Sequence, residues 1–234
     1  MNLPSEEMQL MFTGLSGEKT MKQAQSFHDT ILKEKPKLDA VLDFGCGWGR
    51  IARCFLKETK KLYGSDCLPY AIQLCRDALP NCRFYLTDPL PPSPFEEMQF
   101  DLIYGYSVFS HLSEEAHLAW LAEFSRILKP GGMLALTTRQ RDFIPSMHFM
   151  KVEPFDVRRA TKEYDEGKFV YSPLIEDGPL HGFYGEAAIP EAYVRRIWTR
   201  WFSIENFLSD VPHVDQNVIM CKKSERCSKS RYSS

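Results

Sequence analysis

The sequence predicts an α/β fold: a mostly parallel sheet with helices on both faces, closed by an antiparallel hairpin. Apolar runs alternate with helical patterns from residue 39 to about 138, a glycine-rich turn follows the first run, and two late apolar runs lie close together in the chain. Asp39 to Phe44 (DAVLDF) is read as the first strand, and Ile51 to Lys57 as a helix with Ile51, Cys54 and Phe55 on one face. Lys61 to Asp66 is the second strand. Pro69 suits the first turn of a helix carrying Ile72, Cys75 and Leu79 inward. Arg83 to Thr87 is the third strand, and the proline-rich PLPPSPF that follows, residues 89 to 95, excludes a regular third helix. Phe100 to Tyr106 is the fourth strand. Ser113 is the N-cap of a helix with Glu114 and Glu115 in its first turn and Leu118, Leu121, Phe124 and Leu128 facing inward; KPGG at 129 to 132 is expected to end it before a fifth strand, Met133 to Thr138. Pro190 to Trp198 reads as a helix, and Phe202 to Phe207 with Asn217 to Cys221 as the closing pair, seven strands in all.

Three regions stand outside this alternation. Residues 1–38 form an N-terminal cap region ahead of the domain at 39–222. Residues 139–188 are too long for an ordinary connection and rich in aromatics, among them Phe143, Phe149, Phe155, Tyr164, Phe169, Phe183 and Tyr184, so they are expected to form an insertion that shapes a pocket or a lid. The tail, 223–234, has almost no apolar residues and is expected to be disordered.

Composition narrows the function. With 29 basic and 31 acidic residues spread along the chain, the formal charge is −2, and no stretch supplies the basic face that nucleic acid requires. Seven cysteines, an odd number without CxxC spacing, read as reduced thiols of a cytoplasmic protein. No run approaches the ~20 apolar residues of a membrane span.

The chemistry is concentrated in VLDFGCGWGR, residues 41 to 50. Backbone N–H groups at such a turn receive an anion or a polar ligand. A dinucleotide site would space its glycines G-x-G-x-x-G, and a carboxylate beside a pyrophosphate would repel it. Here Gly45, Gly47 and Gly49 are spaced G-x-G-x-G and Asp43 ends the strand, which fits a ligand carrying a cation and no phosphate. S-adenosylmethionine has an α-ammonium for Asp43 and two ribose hydroxyls for Asp66, 21 residues after Gly45.

Taken together, DFGCGWG, Asp66, TDPL at 87 to 90, FDLIYGYSVFSHL and ILKPGGML resemble, in order and spacing, the motifs of the class I S-adenosylmethionine-dependent methyltransferases, a Rossmann-like family. The later YGEAAIPEAYVRRIW and DQNVIMCKK resemble a bacterial subgroup of it. The resemblance covers residues 39 to 138 and the closing hairpin. It implies that Asp43, Gly45, Cys46, Gly47, Trp48, Gly49, Asp66, Cys67, Asp88, Leu90, Tyr106 and Ser107 meet the cofactor. Trp48 is either a packing residue or a wall beside the methionine moiety; Asp88 either meets the adenine amino group or opens a turn, with Leu90 as the apolar neighbour of the ring. Cys46 and Cys67 are small residues rather than reactive ones.

The implied activity is methyl transfer to a small-molecule or glycan-like acceptor, at oxygen, which needs a base only where the acceptor is a hydroxyl. His111, just past the fourth strand, is the best-placed histidine; the bland reading makes it a helix-start residue bonded to backbone. His181, Tyr184 and Glu186 in HGFYGEA reach over the acceptor or form a lid hinge bent at Gly182 and Gly185. His148 and His28 have weaker claims and His117 is structural. No Asn/Asp-Pro-Pro-aromatic loop follows the fourth strand, where YGYS stands, and no acidic set follows strands four and five, so neither base methylation nor a catalytic metal is expected. The competing readings are a nicotinamide-dependent oxidoreductase and a non-catalytic scaffold that keeps the fold.

Overall fold

The computed structural model describes residues 3–147, 155–174 and 182–224. Two helices come first, α1 (Glu6–Thr13) and α2 (Gly17–Lys33). Ser5 caps α1 through its side chain, which accepts from the Met8 N–H, and Gly14 ends it in the left-handed conformation at φ 67°. Helix α2 buries Thr20, Gln23, Ala24, Phe27 and Ile31 along one face. Phe27 meets Tyr104 and Tyr106 edge-on at 6.3 and 5.2 Å, so the N-terminal region belongs to the main core.

The alternation then runs β1 (Val41–Phe44), α3 (Ala52–Phe55), β2 (Leu62–Asp66), α4 (Pro69–Ala78), β3 (Arg83–Leu86), β4 (Phe100–Gly105), α5 (Glu114–Ile127) and β5 (Leu128–Thr138). No helix separates β3 from β4. The proline-rich link packs directly on the sheet instead: Phe95 meets Tyr63, Tyr85 and Phe100, and Trp120 donates to the Pro89 carbonyl at 3.0 Å. The chain closes with α8 (Glu191–Ile197), β8 (Phe202–Leu208) and β9 (Asn217–Lys223), after an insertion holding α6 (Ile144–Met147), α7 (Val157–Asp165), β6 (Val170–Pro173) and β7 (Gly185–Ala188).

The seven-stranded sheet has the order β3-β2-β1-β4-β5-β9-β8, parallel except for the edge pair β9 and β8. This is the Rossmann-like sheet with its antiparallel hairpin. All residues of β1 and β4 are buried, as expected for central strands covered on both faces. The chain starts at β1, works outward to β3 and returns on the other side at β4, so the crevice at the carboxyl ends of β1 and β4 is where such sheets collect ligands.

Two element ends differ from the sequence reading. Helix α3 is a single turn, because the residues before it are used by the glycine turn. Helix α5 ends at Ile127, before KPGG: Leu128 already pairs with Phe100, and the ladder resumes at Leu102 with Met133, so the glycines form a bulge in β5 rather than a helix stop. Ser113 does cap α5, accepting from Ala116 N, and His117 is buried, accepting the Trp198 indole N–H at 2.8 Å; burial pushes its imidazole down to about 3.

The insertion carries its own small core of Ile144, Met147, Ala160, Val170 and Ala188, and β6 pairs antiparallel with β7. Its last strand is tied to the loop after β4: Gly185 N–H donates to the His111 carbonyl at 2.8 Å and Ala187 N–H to that of Ser110 at 2.7 Å. His148, Phe149, His181, Cys227 and residues 225–234 lie outside the described residues; Lys223, expected to open the tail, ends β9.

On the other face of the sheet, Phe124 is fully buried against Phe44, Phe109 and Trp120. Phe124→Ala is expected to cost about 3–5 kcal/mol, read as a lower urea midpoint at unchanged slope; a loss under about 1 kcal/mol would mean that the cluster repacks.

Candidate active site

The turn after β1 is pinned by one carbonyl: Gly45 and Cys46 N–H both donate to Ser65 O, at 2.8 and 3.0 Å. Gly45 has φ 70°, and a Cβ there would lie 2.2 Å from Val108 Cγ2, so only glycine lets the loop after β4 close on the turn. Gly47 N–H donates to Asp66 Oδ2 at 2.9 Å and Leu68 N–H to Oδ1 at 2.9 Å, which aims the carboxylate across the crevice. Each oxygen keeps a second lone pair for a hydroxyl.

These elements enclose a cavity of about 720 Å³, within the size range of small-ligand sites. Asp43, Gly45, Cys46, Gly47, Trp48, Asp66, Cys67, Asp88, Tyr106 and Ser107 all line it. Gly49 and Leu90 do not. Gly49 has φ 78° and packs under the turn, its missing Cβ 3.1 Å from Cys75 Sγ and 3.2 Å from Leu79, which makes it a helix-packing residue. Leu90 is 40% exposed and stands outside the lining, because the chain turns away after Pro89, whose carbonyl is held by Trp120.

Asp43 is 2% exposed, and its Oδ2 has no hydrogen-bond partner among the described residues. Burial pushes its carboxyl up to about 7, against the opposing pull of the Tyr104 hydroxyl and the Arg50 guanidinium. Burial also raises Asp66, while its backbone donors lower it. Trp48 is 1% exposed, its indole N–H has no partner among the described residues, and it lines the cavity, so it both packs and faces it. An unsatisfied buried acceptor beside a glycine cradle fits the α-ammonium of S-adenosylmethionine, and Asp66 fits the ribose.

The other end of the cavity joins residues far apart in sequence. His111 Nδ1 lies 3.0 Å from the Gly185 carbonyl, which only accepts, so Nδ1 carries the proton and Nε2 the lone pair. Glu186 Oε1 lies 3.2 Å from the same Nδ1, and the Tyr184 ring stacks on the imidazole at 5.2 Å and 9°. Glu186 is 1% exposed and its Oε2 accepts from Arg139 Nε at 3.4 Å. All four line the cavity, whereas His28 does not.

Sequence reasoning missed Gln23, Arg50, Arg139, Asp215, Gln216 and the stretch Leu10 to Leu15, which also line it. Arg139 immediately follows a strand whose carboxyl end faces the crevice, a signal that was available. Asp215 and Gln216 were available too, since an antiparallel β9 brings its first residues to the end of β5. Nothing local marks Leu10 to Leu15.

Residues 41–132 match the methyltransferase domain family. Over these residues the chain is similar to S-adenosylmethionine-dependent methyltransferases. The chain is 24% identical over 159 residues to the malonyl-[acyl-carrier protein] O-methyltransferase of Salmonella typhimurium, covering 68% of this chain and 58% of that one. It is 28% identical over 174 residues to the trans-aconitate 2-methyltransferase of an Azoarcus species, covering 72% and 63%. It therefore spans less than two thirds of these relatives. Its fold is that of the PH0226 protein of Pyrococcus horikoshii, with a TM-score of 0.69 at 16% identity over 95% of this chain and 100% of the other. The N-methyltransferase NodS of Bradyrhizobium japonicum, bound to S-adenosylhomocysteine, gives 0.59 at 15% identity over 88% of each.

The buried acid Asp43 gives the ligand-free stability of the chain a pH slope. Between about pH 4 and about pH 7 the folded chain keeps a proton on Asp43 that the unfolded chain has lost, so stability falls as pH rises through that window and is level above it. Asp43→Asn is expected to remove this component, so that its stability relative to wild type grows from about pH 5 to about pH 8 in urea titrations; a difference independent of pH would show that Asp43 ionises normally.

Proposed function

We propose that this chain is a cytoplasmic enzyme that moves the methyl group of S-adenosylmethionine to an oxygen of a small-molecule or glycan-like acceptor, with His111 as the base. The observation that carries this reading is one cavity with a buried carboxylate, one of whose oxygens has no partner among the described residues, at one end and a histidine with its Nδ1 proton held by a carbonyl at the other. The cofactor supplies a methyl carbon already activated on a sulfonium. Asp43 receives the ammonium, Asp66 the ribose hydroxyls, and Asp88 stands at the adenine end. For a hydroxyl acceptor, His111 Nε2 would take the proton that the oxygen gives up as it is methylated.

Glu186 and the Gly185 carbonyl fix the ring and stabilise the imidazolium that results, while Tyr184 covers the ring face. Oxygen as the reacting atom is supported by the Salmonella relative, named as an O-methyltransferase; that relative and the Azoarcus one are named for malonyl-carrier protein and trans-aconitate, so acids join alcohols in an acceptor panel. No helix among the described residues is long and apolar enough to cross a membrane.

Calorimetry is expected to show saturable binding of S-adenosylmethionine and S-adenosylhomocysteine, none of NAD, and a loss of about tenfold or more in Asp66→Ala. Binding of NAD would favour the oxidoreductase reading, and cofactor binding without product from any acceptor would favour a scaffold. With a hydroxyl acceptor from the panel, His111→Ala is expected to lower kcat roughly a hundredfold to ten-thousandfold at little changed cofactor affinity. An unchanged kcat would remove the base.

A further inference from the structure

The cofactor end and the acceptor end of the cavity are joined by a chain of polar contacts that runs through the N-terminal helix. Arg50, directly after the glycine turn, is 7% exposed; its NH1 donates to Gln23 Oε1 at 2.6 Å, and its guanidinium lies 4.6 Å from the centre of the Tyr106 ring. Gln23, on α2 and 3% exposed, donates from its other amide atom to Asp215 Oδ1 at 2.9 Å. The same oxygen accepts the Tyr106 hydroxyl at 2.8 Å, and Asp215 Oδ2 faces Arg139 at 3.5 Å. One neutral amide thus bridges a buried cation and a carboxylate, each offered the polarity it needs.

We infer that Gln23 is a positioning residue for the cofactor: by gripping Arg50 and Asp215 together, it holds the positive charge that keeps Asp43 ready for the α-ammonium of S-adenosylmethionine, and so makes the docked N-terminal helices part of the binding machinery. This rests on the cofactor reading given above. The charged and titratable groups facing Asp43 are Arg50 from the turn, Asp66 from β2, Tyr104 from β4, Cys46 from the turn and Cys54 from α3. Arg50 is the one cation among them, and its only side-chain acceptor within hydrogen-bond reach among the described residues is Gln23; its other contact, to the Thr20 carbonyl at 3.5 Å, comes from the same helix. Helix α2 is in turn tied to the loop before β9, where Ser26 Oγ donates to the Pro212 carbonyl. Without the Gln23 amide the guanidinium loses its side-chain anchor, and the ionised form of Asp43 loses part of the positive field that favours it, the Tyr104 hydroxyl remaining.

Two ligands separate this from simple damage to the pocket. S-adenosylhomocysteine carries the ammonium; 5′-methylthioadenosine has the same nucleoside and thioether without it. Calorimetry of the full chain is expected to show Gln23→Leu weakening the first about tenfold while the second stays within about twofold. Asp215→Asn, at an exposed position that leaves the fold intact, is expected to weaken S-adenosylhomocysteine by about threefold with the same selectivity. Wild-type affinity for S-adenosylhomocysteine falls as pH is lowered through about 7, and in Gln23→Leu that fall moves to higher pH. Equal weakening of both ligands, or no change in either, in variants with wild-type circular dichroism would overturn the inference. Failure of the wild type itself to bind either ligand would overturn the cofactor reading beneath it, and shows before any substitution is made.

Discussion

The site depends on how closely three segments approach at the end of β1. Ser65 O accepts two successive N–H groups from the glycine turn, and Val108 rests where a Gly45 side chain would be. That contact locks the turn to β2 and to the loop after β4 at once. From it follow the aim of Asp66, tied to Gly47, and the placement of Tyr106 and Ser107, whose own segment is the one touching Gly45. Ser107 takes a positive φ of 59° there and is held by Thr137 through its N–H and by Gln216 through its hydroxyl, so the strain of the turn is borne by partners on β5 and just before β9. A ligand site assembled this way is preformed, because the polar groups that meet the ligand are fixed by backbone contacts rather than by one another.

The strands and the glycine turn were legible because their signals are local. A strand buried on both faces reads as an apolar run, and Pro69 and Ser113 each mark a helix start by a mechanism that acts within a few residues. The failures have the same origin. KPGG carries the composition of a helix stop, yet Leu128 was already committed to pairing with Phe100, and a β-bulge uses glycines as readily as a helix end does. Gly49 matched the periodic pattern of ligand glycines but serves Cys75 and Leu79. Leu90 was chosen as a neighbour in sequence of Asp88, although a bond from Trp120, 30 residues further along, decides which way that segment turns.

Sequence proximity also hid the second half of the site. His111 and Glu186 are 75 positions apart, and what joins them is β7 lying against the loop after β4 through main-chain bonds that any side chains would permit. His111 is bonded to a backbone carbonyl, as its bland reading has it, and the same bond fixes the tautomer that a base would need. The aromatics of the insertion divide likewise. Phe143, Phe155 and Tyr164 pack on the small core of that subdomain, whereas Phe183 and Tyr184 line the cavity.

Burying Asp43 is unfavourable in the empty protein, since its carboxyl is raised to about 7 and one oxygen finds no donor. A fold selected for stability alone would place an amide or an apolar residue there. On the cofactor reading proposed above, a donor with positive charge would offset that cost, and the group that destabilises the ligand-free state would favour an ammonium over a phosphate. Arg50 does not take that role among the described residues: it is bonded to Gln23, lies over the Tyr106 ring and acts on Asp43 through its field. The arrangement lowers the penalty of an ionised Asp43 without satisfying its free oxygen. On the proposed reading that oxygen is the one open to a ligand, and helix α2 contributes by restraining Arg50 through Gln23.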